Sequence, residues 1–304
     1  MRFFTIILIV LLFSCNGRKD ELIVPKWEMG DIRTITVKSY TFMKVKNDTI
    51  LNITGDFSYK IHVISKTSDS YILEISDRSK PNMEFANGND TITNQLKTII
   101  HVCDQIPMDG FSYNVRTSKN GEIIGIDNWK QVRDTLISIT MKFVNTYTMT
   151  SDEKQYMQKY TESKYSKKED LSAFLLNQIS DIFVLYNTKI PADSAITSDV
   201  QFPDPKTGMT VMTKQTCKLV SVNENLYVFE VVIDLNNDLF LSRDEKVNNF
   251  FNKDSVKNIN MNIDNKSLYY WDSNTGWFDS LNIFFQIKSD SFYWTMKEDI
   301  HLNK

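Results

Sequence analysis

The 304-residue chain is poor in the residues that build special architectures. Its 9 glycines and 6 prolines are too few for a collagen-like repeat or a Pro-rich linker. Histidine occurs only as His62, His101 and His301, each isolated, so local metal triads and His-activated nucleophiles lack material. There is no G-x-S-x-G, no H-E-x-x-H and no glycine-rich phosphate loop. No CxxC or Cys/His cluster is present either, which removes the usual zinc frameworks. Basic residues do not exceed acidic ones, 35 against 38, so nothing favours a nucleic-acid partner, whose phosphates demand a cationic excess. No apolar run approaches the about 20 residues that a membrane-crossing helix needs. The expectation is a non-enzyme with no catalytic residues, no cofactor and no metal.

What is present begins at the N-terminus. Arg2 supplies a positive start, Phe3 to Phe13 is a short apolar run, and Leu12-Phe13-Ser14-Cys15 closes it. A basic start, a short apolar stretch and a small residue at the boundary describe an export signal and not a membrane span. The four closing residues resemble the lipobox of bacterial lipoproteins, with Phe13 where a smaller residue is usual. The resemblance implies removal of residues 1–14 and acylation of Cys15; several acyl chains together anchor firmly, at about 0.8 kcal/mol per buried CH₂. The competing reading is an ordinary secretory signal with an incidental cysteine, although no small-residue cleavage site follows and the sequence turns polar at Asn16. Asn16 is not the aspartate of inner-membrane retention, and Lys19-Asp20-Glu21 looks like the lysine-acidic export signal of Bacteroidota surface lipoproteins. The implied address is the outer membrane, lipid-anchored, facing either the cell surface or the periplasm.

Processing takes Arg2 with it, moving the formal charge from −3 to −4. Apolar residues at 41% and charged residues at 24% describe a globular body, and about 290 residues are ample for a core. With Cys15 lipidated, Cys103 and Cys217 remain; they could form one disulfide in an oxidising compartment or stay as separate buried thiols.

Along the chain, residues 15–26 read as a polar tether and 27–304 as a single α+β domain: β over 30–126, helical over 127–190, β over 195–300. Phe57, Tyr59, Ile61 and Val63 alternate with polar neighbours, as do Tyr71, Leu73 and Ile75, which is the period of a half-buried strand. Tyr113 and Val115, Asn120-Gly121 and Ile123 read as a hairpin. The stretch from Lys80 to Asp109 has no clear period and contains a short helix expected near Thr93 to Val102. Trp129, Val132, Leu136, Ile139 and Phe143 recur at helical spacing, with Asp127 as the expected N-cap. Thr150 with Glu153, and Ser166 with Glu169, fit the capping-box pattern. The second box opens an apolar stripe of Leu171, Phe174, Leu175, Ile179, Phe183 and Tyr186. Leu226 to Ile233 reads as a well-buried strand, and alternation returns over Leu281 to Ile287 and Phe292 to Met296. Strands, helices, strands, without regular βαβ alternation, predict a curved antiparallel sheet with the central helices packed on one face.

Three segments carry a family resemblance: Trp27-Glu28-Met29-Gly30-Asp31, Asn120-Gly121-Glu122-Ile123 ahead of Asn128-Trp129, and Trp271-Asp272-Ser273-Asn274-Thr275-Gly276-Trp277. Together they resemble uncharacterised Bacteroidota lipoproteins grouped as a domain of unknown function (DUF6263). That group implies no particular activity. More distantly, the pattern is similar to the curved-sheet lipoprotein carriers of the LolA type, which hold acyl chains.

Two segments could carry chemistry. Asp234 to Glu245 spaces oxygen ligands as an EF-hand calcium loop does. However, Leu239 occupies the position where glycine makes the sharp turn, and a strand enters the loop, so a polar turn before a capped helix competes. The C-terminal aromatics could stack on a glycan or lipid, or simply pack the sheet. Trp271 and Trp277 flank a turn and are the weak ligand-binding candidates, expected to be exposed. The functional expectation is an accessory or binding module for a lipid-like, glycan or protein ligand. The alternatives are a structural or scaffolding envelope protein and a carboxylate-dependent hydrolase, the last requiring two acidic residues to converge.

Overall fold

The computed structural model describes residues 20–45, 48–76, 79, 82–85, 111–146, 150–176, 179–203, 210–234, 262–290 and 292–304. The first half supplies strands β1 (Glu21–Leu22), β2 (Ile32–Val45), β3 (Asp48–Lys66), β4 (Ser70–Ser76), β5 (Asn82–Phe85), β6 (Tyr113–Ser118) and β7 (Ile123–Ile126). Four helices follow: α1 (Trp129–Thr146), α2 (Ser151–Lys164), α3 (Lys168–Leu176) and α4 (Ser180–Phe183). The chain then returns to strands: β8 (Lys189–Ile190), β9 (Ile196–Pro203), β10 (Thr210–Asn223), β11 (Leu226–Ile233), β12 (Asn262–Asp272), β13 (Trp277–Lys288) and β14 (Phe292–Asn303).

Twelve strands form one large, curved, open antiparallel sheet in the order β7-β6-β4-β3-β2-β14-β13-β12-β11-β10-β9, with β5 pairing β3 off that path. The first and last long strands meet at the centre, where β14 pairs β2 from Phe292 opposite Val45 to Asn303 opposite Thr34. The alternation read in the sequence is what the sheet uses. Tyr59, Ile61 and Val63, Tyr71, Leu73 and Ile75, and Tyr113 and Val115 are all buried on one face. They share a single hydrophobic cluster with Val132 and Leu136 of α1, Leu171 and Leu175 of α3, and Ile182 and Phe183 of α4.

Three expectations at the helices and the N-terminus need correction. The first hydrogen bond of α1 runs from the Val132 N–H to the Asn128 carbonyl, so the cap falls at Asn128. Asp127 is occupied instead, accepting from Arg116 Nε and Nη2 at 2.9 and 2.7 Å. At α2 the capping box forms as expected, Thr150 Oγ1 accepting from the Glu153 N–H and Glu153 accepting from the Thr150 N–H. At α3 it does not: Ser166 Oγ donates to the Ser163 carbonyl at 2.7 Å, and the helix starts at Lys168. The tether ends earlier than residue 26. Glu21 and Leu22 pair with Ile190 and Lys189, Asp20 ion-pairs with Lys189 at 3.1 Å, and Ile23 and Trp27 are fully buried. A strand pairing between segments 168 residues apart leaves no local periodicity to read.

The helix expected near Thr93 to Val102 and Cys103 lie outside the described residues, as does the loop after Asp234. Cys217 is a free, buried thiol, and burial pushes it up to about 12. Among the described residues no helix is long and apolar enough to cross a membrane.

Candidate binding site on the inner face

Trp271 and Trp277 are each 1% exposed, which corrects the expectation that they face solvent. The turn between them is tied down from outside. Gly276, at φ +68°, accepts through its carbonyl from Trp27 Nε1 at 3.1 Å and from the Tyr186 hydroxyl at 2.7 Å. Trp277 stacks on Trp27 with centroids 4.6 Å apart, and Trp27 meets Tyr71 and Tyr186 edge-on at 5.1 and 5.2 Å. The guanidinium of Arg33 lies 5.3 Å from the centre of the Trp277 ring. These aromatics join the N-terminal segment, the helices and the sheet into one base. They pack the core and present no face to a ligand.

The register of the sheet shows where the same face stops being core. Directly paired residues point to the same side, so transverse rows can be followed across strands. One row is Phe57, Val37, Ile300, Leu281, Tyr269 and Phe229. Five of these are buried and Phe57 packs against them. The next row is Gly55, Ser39, Glu298, Ile283 and Ser267, with three small side chains and a carboxylic acid. Beyond it the face is apolar again: Ile53, Thr41, Met296 and Phe285, then Leu51, Met43, Trp294 and Ile287. Around Ile287 a second cluster gathers Ile233, Ile263, Phe285, Phe292 and Trp294, of which Ile287 alone is fully buried. Trp294 packs edge-on against Phe285 at 5.1 Å, and its Nε1 is buried without a hydrogen-bond partner among the described residues.

Asp181 of α4 lies near enough to Glu298 and Tyr269 for its charge to act on both. Ile182 and Phe183 of that short helix are buried, while Asp181 stays exposed. The surrounding protein nevertheless desolvates its carboxyl and raises it above the usual carboxylate range. Glu298, half-buried, is raised by burial first and by the charge of Asp181 second. Tyr269, 4% exposed, is pushed well up by burial and then by Asp181 and Cys217. Among the described residues neither carboxyl has a hydrogen-bond donor or a cationic partner, and the Tyr269 hydroxyl has no hydrogen-bond partner.

The outer face is largely solvated, with Thr295 the buried exception on β14. Glu230 bridges Lys218 at 2.6 Å and also Lys266, and Asn282 donates to Asp299 at 2.8 Å. Open recesses occur among the described residues at the turn end of β10–β13, about 400 Å³ beside Glu224, Asp272 and Asp279, and along β2 and β3, about 320 Å³ beside Lys38, Ser39, Gly55 and Asp56. Among the described residues no three His, Cys, Asp or Glu side chains are grouped to hold a metal ion.

The fold defines the chain as a β-rich α+β protein built on one open antiparallel sheet. No family model matches it, and no curated protein does. Among solved structures, an outer membrane channel from Pseudomonas putida F1 is similar at 8% identity over 94% of this chain and 100% of that one, with a TM-score of 0.18. At that score the likeness carries no argument.

Proposed function

We propose that the protein is an envelope lipoprotein, held at the outer membrane through acylated Cys15, whose sheet binds an amphiphilic, lipid-like ligand. The helices close the lower part of the inner face, and the ligand occupies the part above them. The observation that carries this reading is the continuation of apolar rows beyond the closed core, through Met43, Ile53, Met296 and Trp294. A face built only to pack helices would turn polar where the enclosed core ends, because exposed apolar area has no folding benefit there. Binding sites are apolar surfaces with a few polar groups, and the row bearing Glu298 supplies those groups at the boundary.

The reading is non-enzymatic. Hydrolysis by two carboxyls needs one group held as acid and the other as base or nucleophile. The charge of Asp181 reaches Glu298, but burial raises both carboxyls in the same direction, so the two environments do not divide the roles.

Two measurements test the proposal. Metabolic labelling with an alkyne-bearing fatty acid should mark the protein in membranes and fail with Cys15→Ala. For the ligand, titration of the purified protein with dodecanol should perturb its tryptophan fluorescence saturably. Trp294→Phe should remove most of that response while leaving the unfolding midpoint within a few degrees. A wild-type protein that binds no dodecanol refutes the binding reading.

A further inference from the structure

We infer that β9 is the docking edge for a second copy of this chain, the two β9 strands pairing antiparallel about a two-fold axis. An edge strand offers unpaired N–H and C=O groups on every second residue, and in this open sheet the edges differ. β7 and β5 are four residues each, and the pairing of β7 with β6 shifts register between Arg116 and Thr117. Short length and irregular pairing both blunt an edge against further strands. β9 has neither device. It runs eight residues and pairs with β10 without a register shift, from Ile196 opposite Cys217 to Pro203 opposite Thr210. It carries a single charge, Asp199, and no lysine. Among the described residues no strand lies on its other side. Thr197, Ser198 and Asp199 are all exposed, whereas β4, paired on both sides, alternates buried and half-buried residues. Consecutive exposed residues on both faces mark an edge left open.

Closure selects a second copy as the occupant. Two-fold pairing of β9 with itself consumes both regular edges and leaves only the blunted β5 and β7 edges outside, so assembly stops at two. Face and charge then set the register. Directly opposite residues point to the same side of a sheet, so the axis passes through one residue and its own copy. At Asp199 the axis would set two carboxylates against each other, and like charges directly opposite are destabilising. At Ser198 it sets Ile196 against Val200 and Thr197 against Asp199. Ile196 packs against the core and Val200 is half-buried, so apolar meets apolar on the inner face and polar meets polar between. The small area of one strand pairing gives a dissociation constant on the order of micromolar. Dimer formation needs neither the ligand nor the lipid anchor.

Size exclusion with light scattering, over micromolar to sub-millimolar protein, should show the wild type passing from monomer to dimer and no further. Ser198→Lys places two lysines face to face on the axis and should leave a monomer. Its circular dichroism and unfolding midpoint should stay unchanged, because Ser198 is exposed. Ile124→Lys, on the β7 edge and 62% exposed, should dimerise as the wild type does. Cysteine cross-linking reads the register. Directly opposite Cα atoms lie about 4.5–5.5 Å apart, within reach of a disulfide. Ser198→Cys should therefore oxidise to a covalent dimer, above the background set by the native cysteines in the wild type. Thr197→Cys should not, because its copy lies two residues out of register at about 8 Å. A wild type that stays monomeric throughout, one that assembles beyond two, or a dimer that survives Ser198→Lys overturns the assignment of β9 as the docking edge. Cross-linking of Thr197→Cys in preference to Ser198→Cys overturns the register.

Discussion

The close approach at Gly276 gives the sharpest stability prediction. A Cβ built there would meet the Lys26 backbone nitrogen at 2.2 Å and the Pro25 carbonyl carbon at 2.8 Å. Backbone atoms cannot swing away as a side chain can, so Gly276→Ala must displace the segment that carries Trp27. Three contributions add. The residue sits at φ +68°, where a Cβ costs about 1 kcal/mol. Moving the 25–27 segment also disturbs the buried bonds that Trp27 Nε1 and Tyr186 Oη donate to the Gly276 carbonyl, each contributing about 1 kcal/mol net. Some loss of the Trp27–Trp277 stacking adds about 1 kcal/mol more. The expected loss is about 3–4 kcal/mol, a drop in Tm of roughly 6–12 °C for a domain of this size. Gly30 supplies the control, since it sits at φ +92° with nothing within 4 Å of a built Cβ. Gly30→Ala should therefore lose only the conformational part, about 1 kcal/mol. Urea unfolding followed by tryptophan fluorescence reads both. Equal losses in the two variants would refute the account, because the difference between them is the backbone contact alone.

Thr150→Ala should cost about 1 kcal/mol and speed amide exchange in the first turn of α2, with little change elsewhere; unaltered exchange there would contradict the capping box. Cys217, raised by burial to about 12, should resist maleimide at pH 8 in the folded protein and react once urea exposes it. Because its folded value lies above the unfolded one, its contribution is intact below about pH 9 and is lost as pH rises toward 12; Cys217→Ala should flatten that alkaline limb of the stability curve. Glu230 is the opposite case, lowered by hydrogen bonds from Lys218 and then Lys266. Its contribution is present above about pH 4.5 and lost as pH falls below that value, so Glu230→Gln should remove part of the acid destabilisation measured between pH 6 and pH 3.

The fold was legible wherever one strand buries one face. Tyr59, Ile61 and Val63, or Leu281 and Ile287, repeat every second residue because the other side of the sheet is solvated, and that period survives any tertiary arrangement. Chain order gave the antiparallel class for the same reason. What resisted reading was pairing at long range. β1 is two residues long and gains its partner only from Lys189–Ile190, so Glu21 and Leu22 look like a polar tether. β5, Asn82–Phe85, is similarly too short to show a period. Ser166 and Glu169 match the capping spacing, yet the carbonyl of Ser163 competes for the serine hydroxyl, and a spacing rule carries no information about that competitor.

The candidate site was illegible for a different reason. Asp181 sits beside Ile182 and Phe183 in a four-residue helix, and Glu298 sits in a strand where Lys297 and Asp299 flank it, so each reads locally as a solvent-facing charge. Glu298 departs from that reading through parity. Counting alternate positions back from Leu302 and Ile300 puts it on the same face as the core, and Met296 and Trp294 continue the series. An acidic residue on the apolar phase of a central strand is a signal that the sequence does contain. The phase set by the buried end of β14 marks Glu298 from the sequence, whereas only the fold brings Asp181 near it. The aromatic turn drew attention first because tryptophans flanking a loop are conspicuous, but conspicuous aromatics more often fill a core than line a site. A charge on the apolar phase is the rarer event, and its cost when partly buried makes it the more informative signal.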